Sequence, residues 1–232
     1  MVVALGFAQE ETEHPSSASL KYREYRTKIS EPTYGLAKVK GLIKKIKKDS
    51  EDNYRMNKKT YDSLSFDEKF TYTMIHGEDM SQNCDAMPVF KDEEKRIFGY
   101  IPDAFNDETG WSERQRNFMT NNRAKVIGLI RSTMKTRQRV GVNLKSAILQ
   151  LDAWELIPDM ITIYNLKKVD HDILSVFMYL MKEAKFEPFM KSQSHEKLYG
   201  ENATYRGFIE ANSANQKLVI ERATAFYNSK KK

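Results

Sequence analysis

Apolar positions in this chain recur mostly three and four residues apart, the period of a helix that buries one face. Leu36, Val39, Ile43 and Ile46 trace the first stripe. It follows Ser30-Glu31-Pro32, where Ser supplies a cap and Pro suits a first helical turn. The turn formers Asp49-Ser50-Glu51-Asp52-Asn53 close it. Ser65 and Glu68 stand at capping-box spacing. They predict a helix through Phe70 and Met74 to His76, with Gly77 as its left-handed stop. Residues 78–110 lose this regularity, because Pro88, Gly99, Pro102 and Gly110 interrupt them. Only residues 96–101 read there as a short strand. A second capping box, Ser112 to Gln115, opens the longest expected helix, 113–136, with Met119, Val126, Ile127, Ile130 and Met134 on one arc. Gly141 breaks it. After Gly200, a short helix is expected around Tyr205, Phe208 and Ile209. Ser213 to Gln216 then caps a last helix carrying Leu218, Ile220, Ala223 and Phe226.

Between these segments one pattern occurs twice. Leu144, Ala147, Ile148, Leu151, Leu156, Pro158 and Met160 reappear as Leu174, Phe177, Met178, Met181, Phe186, Pro188 and Met190, each 30 residues on (188 − 158 = 30). Each copy reads as an apolar helix, a brief turn, and a second helix opened near a proline. Across residues 144–200 the unit resembles the helical hairpins of HEAT-like repeat proteins. That resemblance implies stacked hairpins and a binding scaffold. The expected fold is therefore mainly α: helical hairpins stacked as a short HEAT-like or bundle-like array, with an irregular middle at about 78–110. The expected divisions are residues 30–110, helical and irregular, and 111–229, repeat-like, or one continuous domain over 30–229.

The N-terminus departs from this pattern. Residues 1–8 are apolar, and Gly6 and Ala8 place small residues before a cut after Ala8, as at the end of a signal peptide. No basic stretch precedes them, so they read as a truncated signal remnant. The competing reading is a short strand or helix tucked onto the fold. Residues 9–29 read as a polar tether. Export to the periplasm, cell envelope or exterior follows from the first reading, and a cytoplasmic chain from the second.

Composition narrows the classes. The 232 residues are 40% hydrophobic and 11% aromatic, enough for a core, and no apolar run is long enough to span a bilayer. Cys84 is the single cysteine, which excludes an intramolecular disulfide and a thiolate zinc site. The net charge of +6 comes from 38 basic against 32 acidic residues, a mixed surface with a basic excess.

Candidate chemistry is sparse. Phosphate-binding glycine loops, nucleophile elbows, HExxH and EF-hand patterns are all missing. No cofactor is expected. His76, Glu78 and Asp79 form the densest polar cluster; imidazole and carboxylate suit a metal site or acid–base work, while a helix end followed by a turn explains the same residues. Arg116 and Arg123 share the apolar arc of the long helix, which predicts a structural ion pair or an anion site. The carboxylates expected to meet them are Asp79, Asp85, Asp103, Asp107 or Glu108. Arg114, Lys125, Arg131, Lys135, Arg137 and Arg139 give that helix a basic face. Lys38, Lys40, Lys44, Lys45, Lys47 and Lys48 do the same earlier, as a solvated face or an anion-binding patch. The leading expectation is an exported, non-catalytic helical scaffold that binds another protein. The rivals are an enzyme or metal-binding protein centred on His76, Glu78 and Asp79, and a nucleic-acid binder using helix 113–139. Without a reading helix or a stacking platform, nucleic acid is the weaker partner.

Overall fold

The structure is a computed structural model and describes residues 14–81, 88–105, 108–204 and 206–231. The signal-peptide reading of residues 1–8, together with Cys84, Asp85 and Asp107, lies outside the described residues. Among the described residues the fold is mainly helical, with two short antiparallel sheets.

Helix α1 (Ser17–Thr27) occupies most of the stretch expected to be a tether. Ser16 caps it by accepting a hydrogen bond from the Ser19 amide at 3.1 Å. The helix has no apolar stripe; what it buries is Ser19, Tyr22 and Arg26, and that is why periodicity missed it. Helix α2 (Leu36–Ile43) starts later than expected, at Gly35, whose φ of +60° suits glycine. Ser30 is no cap: it is buried, and its Oγ accepts from the Gly141 amide at 2.9 Å.

Helix α3 (Lys58–Asp62) is capped by Asn57, and α4 (Phe66–Ile75) has the expected Ser65–Glu68 box. The helix ends at His76 in extended backbone, and Gly77 is not left-handed. Glycine is needed there for a different reason: a Cβ would stand 2.7 Å from Thr109 Oγ1. Strand β1 (Asp79–Met80) pairs with β3 (Thr109–Gly110), and β2 (Arg96–Phe98) with β4 (Phe208–Glu210). A 3₁₀ turn, Glu93–Lys95, leads into β2. The expected strand at 96–101 is thus real but shorter. The helix expected around Phe208 and Ile209 is instead β4, where only Ile209 of the three is buried, as alternation requires.

The long helix 113–136 is two helices, α5 (Glu113–Asn121) and α6 (Arg123–Arg137), broken at Asn122. The Asn122 side-chain Nδ2 donates to the Phe118 carbonyl at 2.8 Å, satisfying one of the acceptors freed by the break. Then come α7 (Val142–Gln150), a 3₁₀ turn at Trp154–Leu156, α8 (Ile157–Lys167), α9 (His171–Glu183), α10 (Glu187–Met190), α11 (Gln193–Tyr199) and α12 (Ser213–Lys230). Asn212, one residue earlier than expected, caps α12. The buried line of α12 is Val219, Ala223 and Phe226, while Leu218 faces outward.

The two copies of the sequence pattern match α7–α8 and α9–α10–α11. Both prolines sit at the second residue of a helix, α8 and α10. The first helices end 33 residues apart (183 − 150), because α9 runs on through the positions that match residues 151–153, the turn before the 3₁₀ segment of the first copy. Leu156 and Met160 are buried, but Phe186 and Met190 are half-buried and Phe189 fills the core instead. Helix α9 is flanked by α7, α8, α10, α12 and β2, so it is a central helix enclosed by its neighbours. A bundle around α9 describes this better than a row of equivalent layers. A smaller core of Val39, Met56, Tyr61, Leu64 and Tyr72 lies under α2, α3 and α4.

Candidate binding cleft and the ion clusters behind it

Glu78 leaves the end of α4 and points into the protein. Its carboxylate accepts from Tyr72 Oη at 2.6 Å, Ser112 Oγ at 2.5 Å and Arg114 Nε at 2.8 Å. Burial pushes the Glu78 carboxyl up, but the bonds from Arg114, Ser112 and Tyr72 outweigh it and hold the group below the ordinary carboxylate range. Burial and the adjacent Glu78 push the Tyr72 phenol well up. The neighbours of Glu78 in sequence look elsewhere. His76 Nε2 lies 2.7 Å from the Tyr54 carbonyl, and Asp79 accepts from Arg55 Nε at 2.8 Å. The expected metal set His76, Glu78, Asp79 is therefore not brought together: each side chain takes a separate partner. Among the described residues no three His, Cys, Asp or Glu groups converge as metal ligands.

The break at Asn122 separates Arg116 from Arg123. Arg116 is exposed and donates to the Trp111 carbonyl. Arg123 forms a fork with Glu155, at 2.6 and 2.8 Å, and donates to the Leu151 and Asp152 carbonyls past the end of α7. A structural ion pair exists at Arg123, with an acid absent from the expected set, and among the described residues none forms at Arg116. The basic face is similarly engaged within the fold. Arg114 serves Glu78, and Lys125 sits 3.7 Å over the Phe66 ring. Arg131 and Lys135 share Asp159, Arg137 donates to the Glu31 carbonyl, and Arg139 donates to the Tyr25 and Lys28 carbonyls. These residues fasten α5 and α6 to the rest of the chain.

The most heavily buried charges were not legible as a group. Arg26 of α1 reaches Glu93 at 2.8 Å and Asp172 at 2.6 Å. Arg23 also meets Glu93 at 2.8 Å. Lys145 of α7, with no exposed surface, reaches Asp170 at 2.5 Å and Asp172 at 3.7 Å. Three cations thus face three carboxylates, the condition under which buried charge is tolerated. Burial raises the Asp172 carboxyl, but Arg26 and Lys145 prevail and hold it low, while burial leaves Asp170 raised. Burial lowers the imidazole of His171 between them, and its Nδ1 has no hydrogen-bond partner. The available sequence signal was Asp170-His171-Asp172 opening the deeply buried helix α9; the partners lie 25 to 146 residues away.

The irregular middle does form a cleft. Residues 100–105 and 109–111 line one wall, and α7 and α9 make the other. The larger lobe, about 440 Å³, is lined by Tyr100, Ile101, Pro102, Trp111, Leu149 and Tyr179 among others. A second lobe of about 230 Å³ adjoins it, sharing Asp103, Trp111 and Ser146. Two of these aromatics have defined partners in the fold. Trp111 Nε1 donates to the Thr73 carbonyl at 2.6 Å, and its ring meets Phe105 edge-on at 5.8 Å. Tyr100 packs edge-on against Tyr199, whose hydroxyl donates to the Gly99 carbonyl at 2.6 Å. Ser146, Leu149 and Gln150 lie on one face of α7 at spacing three and four. Ser146 Oγ is engaged with the Val142 carbonyl, and Gln150 and Asp103 are further polar residues of the lining.

These features define a mainly helical protein whose buried charges brace the fold and whose open cleft is aromatic. Compared with known protein families, characterised protein sequences and solved structures, the chain matches none. No helix among the described residues is long and apolar enough to cross a membrane.

Proposed function

We propose that this chain is a non-catalytic helical binding module that takes a segment of another polypeptide in the cleft that residues 100–105 and 109–111 form with helices α7 and α9. One observation carries the reading: Tyr100, Trp111 and Tyr179 line an open trough beside polar groups. Tyrosine and tryptophan in pre-formed positions supply large contact area at little entropic cost, and they dominate polypeptide-recognition energetics. The buried ionisable clusters have structural duties, which supports binding over catalysis as the role of the chain. Export belongs to the same reading and rests only on Gly6 and Ala8 before the polar stretch.

The test is selection of peptides from a random display library on the purified protein, followed by solution binding. Selected peptides lose affinity at least about tenfold with Tyr100→Ala or Tyr179→Ala, equal to about 1.4 kcal/mol. Thermal unfolding of these variants checks that the fold is retained. Failure to enrich any peptide, or binding indifferent to both substitutions in folded protein, overturns the reading.

A further inference from the structure

Away from the cleft, the chain between α2 and α3 folds back on itself and leaves a pocket of about 300 Å³ lined by Leu42, Lys45, Ile46, Lys47, Arg55, Met56, Asn57 and Thr60. Its polar rim consists largely of donors. Lys45 and Lys47 are exposed and have no carboxylate partner among the described residues. On the same stretch, Lys38, Lys40 and Lys48 pair with Glu68, Glu31 and Asp52. Arg55 commits its Nε to Asp79 at 2.8 Å, which leaves its two terminal nitrogens for a ligand. Asn57 commits its carbonyl oxygen to the Thr60 amide at 2.9 Å, which leaves its NH₂ group as a donor.

The nearby acceptors are largely occupied. The α2 end carbonyls of Lys40, Leu42 and Ile43 accept from the amides of Lys44, Lys45 and Ile46. Asp49 accepts from the Glu51 and Asn53 amides at 2.9 Å, and Glu51 from the Asn53 side chain at 3.2 Å. A rim of free donors with two unpaired ammonium groups and a guanidinium fits a ligand that is anionic and accepts only. The floor adds a second requirement. Leu42, Ile46 and the buried Met56 are apolar, and the volume exceeds what a bare oxyanion fills.

We propose that this pocket binds a phosphate monoester with an apolar organic group, the phosphate held by Lys45, Lys47, Arg55 and the Asn57 amide, and the organic group lying on Leu42, Ile46 and Met56. The site is independent of the cleft. The ester is either a small soluble molecule or a lipid headgroup, and two arms of one experiment separate them.

In the first arm, phenyl phosphate and inorganic phosphate are titrated into the full chain by calorimetry, with the Asn57 side-chain amide followed by NMR. In the second, vesicles containing phosphatidic acid are compared with neutral vesicles by co-sedimentation. Saturable binding of phenyl phosphate at least tenfold tighter than inorganic phosphate, with the Asn57 amide shifted, establishes a soluble ester. Retention on phosphatidic acid vesicles alone establishes the lipid source. In either arm, the double variant Lys45→Gln/Lys47→Gln weakens binding at least tenfold, while the charge-matched Lys230→Gln/Lys231→Gln leaves it within twofold. The proposal is overturned by binding in neither arm, by phenyl phosphate binding no tighter than inorganic phosphate without vesicle retention, or by equal weakening in both double variants.

Discussion

His171 lies in the fold with its ring 5.7 Å from that of Tyr22 and one ring nitrogen unsatisfied. Burial disfavours its protonated form, so its folded pKa lies below the ordinary 6.5. The unfolded chain then binds the proton more readily. Stability from this residue is complete above pH 6.5 and is lost as the pH falls through the folded value. Glu78 acts in the same direction at lower pH. Its folded carboxyl is held below 4.5, so its contribution is present above that value and is lost on further acidification. The expected outcome is a thermal midpoint that declines in two stages on acidification. His171→Asn flattens the first stage and Glu78→Gln the second. A midpoint constant from pH 7.5 to 5 in the parent protein contradicts the assignment to His171. Neither residue's environment is legible locally, because Tyr22, Ser112 and Arg114 reach them from other elements.

Among the elements, α1 shows most clearly how charge replaces apolar area. Its contacts to the 3₁₀ turn at Glu93–Lys95 and to the start of α9 run through Ser19, Arg23 and Arg26. Ser19 Oγ donates to Glu94 at 2.8 Å, and Arg26 bridges Glu93 and Asp172. Removing one partner of a buried pair leaves the other charge without compensation, which costs about 3–5 kcal/mol. Arg26→Met is therefore expected to lower stability to urea by that order. It also makes the amides of residues 17–27 exchange faster than those of α9. Unchanged exchange in α1 shows that other contacts hold it. The capping boxes at Ser65 and Ser112 were readable because a cap is a contact over three residues. The break at Asn122, the start of α12 at Asn212 and the identity of β4 were not, since each depends on what the segment packs against.

Across the whole molecule, two apolar cores of unequal size divide the labour. The larger surrounds α9, and the smaller holds α2, α3 and α4 around Val39 and Tyr72. Fewer buried apolar groups mean a lower free energy of local opening. Native-state hydrogen exchange is expected to find α2 and α3 opening at lower free energy than α9, and equal protection in both contradicts a division of this kind. The sequence by itself determined the helical class, most helix positions and the doubled pattern over residues 144–190, because helical periodicity and capping are local properties of the chain. It took the folded chain to enclose α9, to bring Arg26 and Lys145 to Asp170 and Asp172, and to set residues 100–105 and 109–111 along a cleft. Each of these joins groups far apart in sequence, and the energy of burying a charge or an aromatic ring depends on the neighbours that the complete fold supplies.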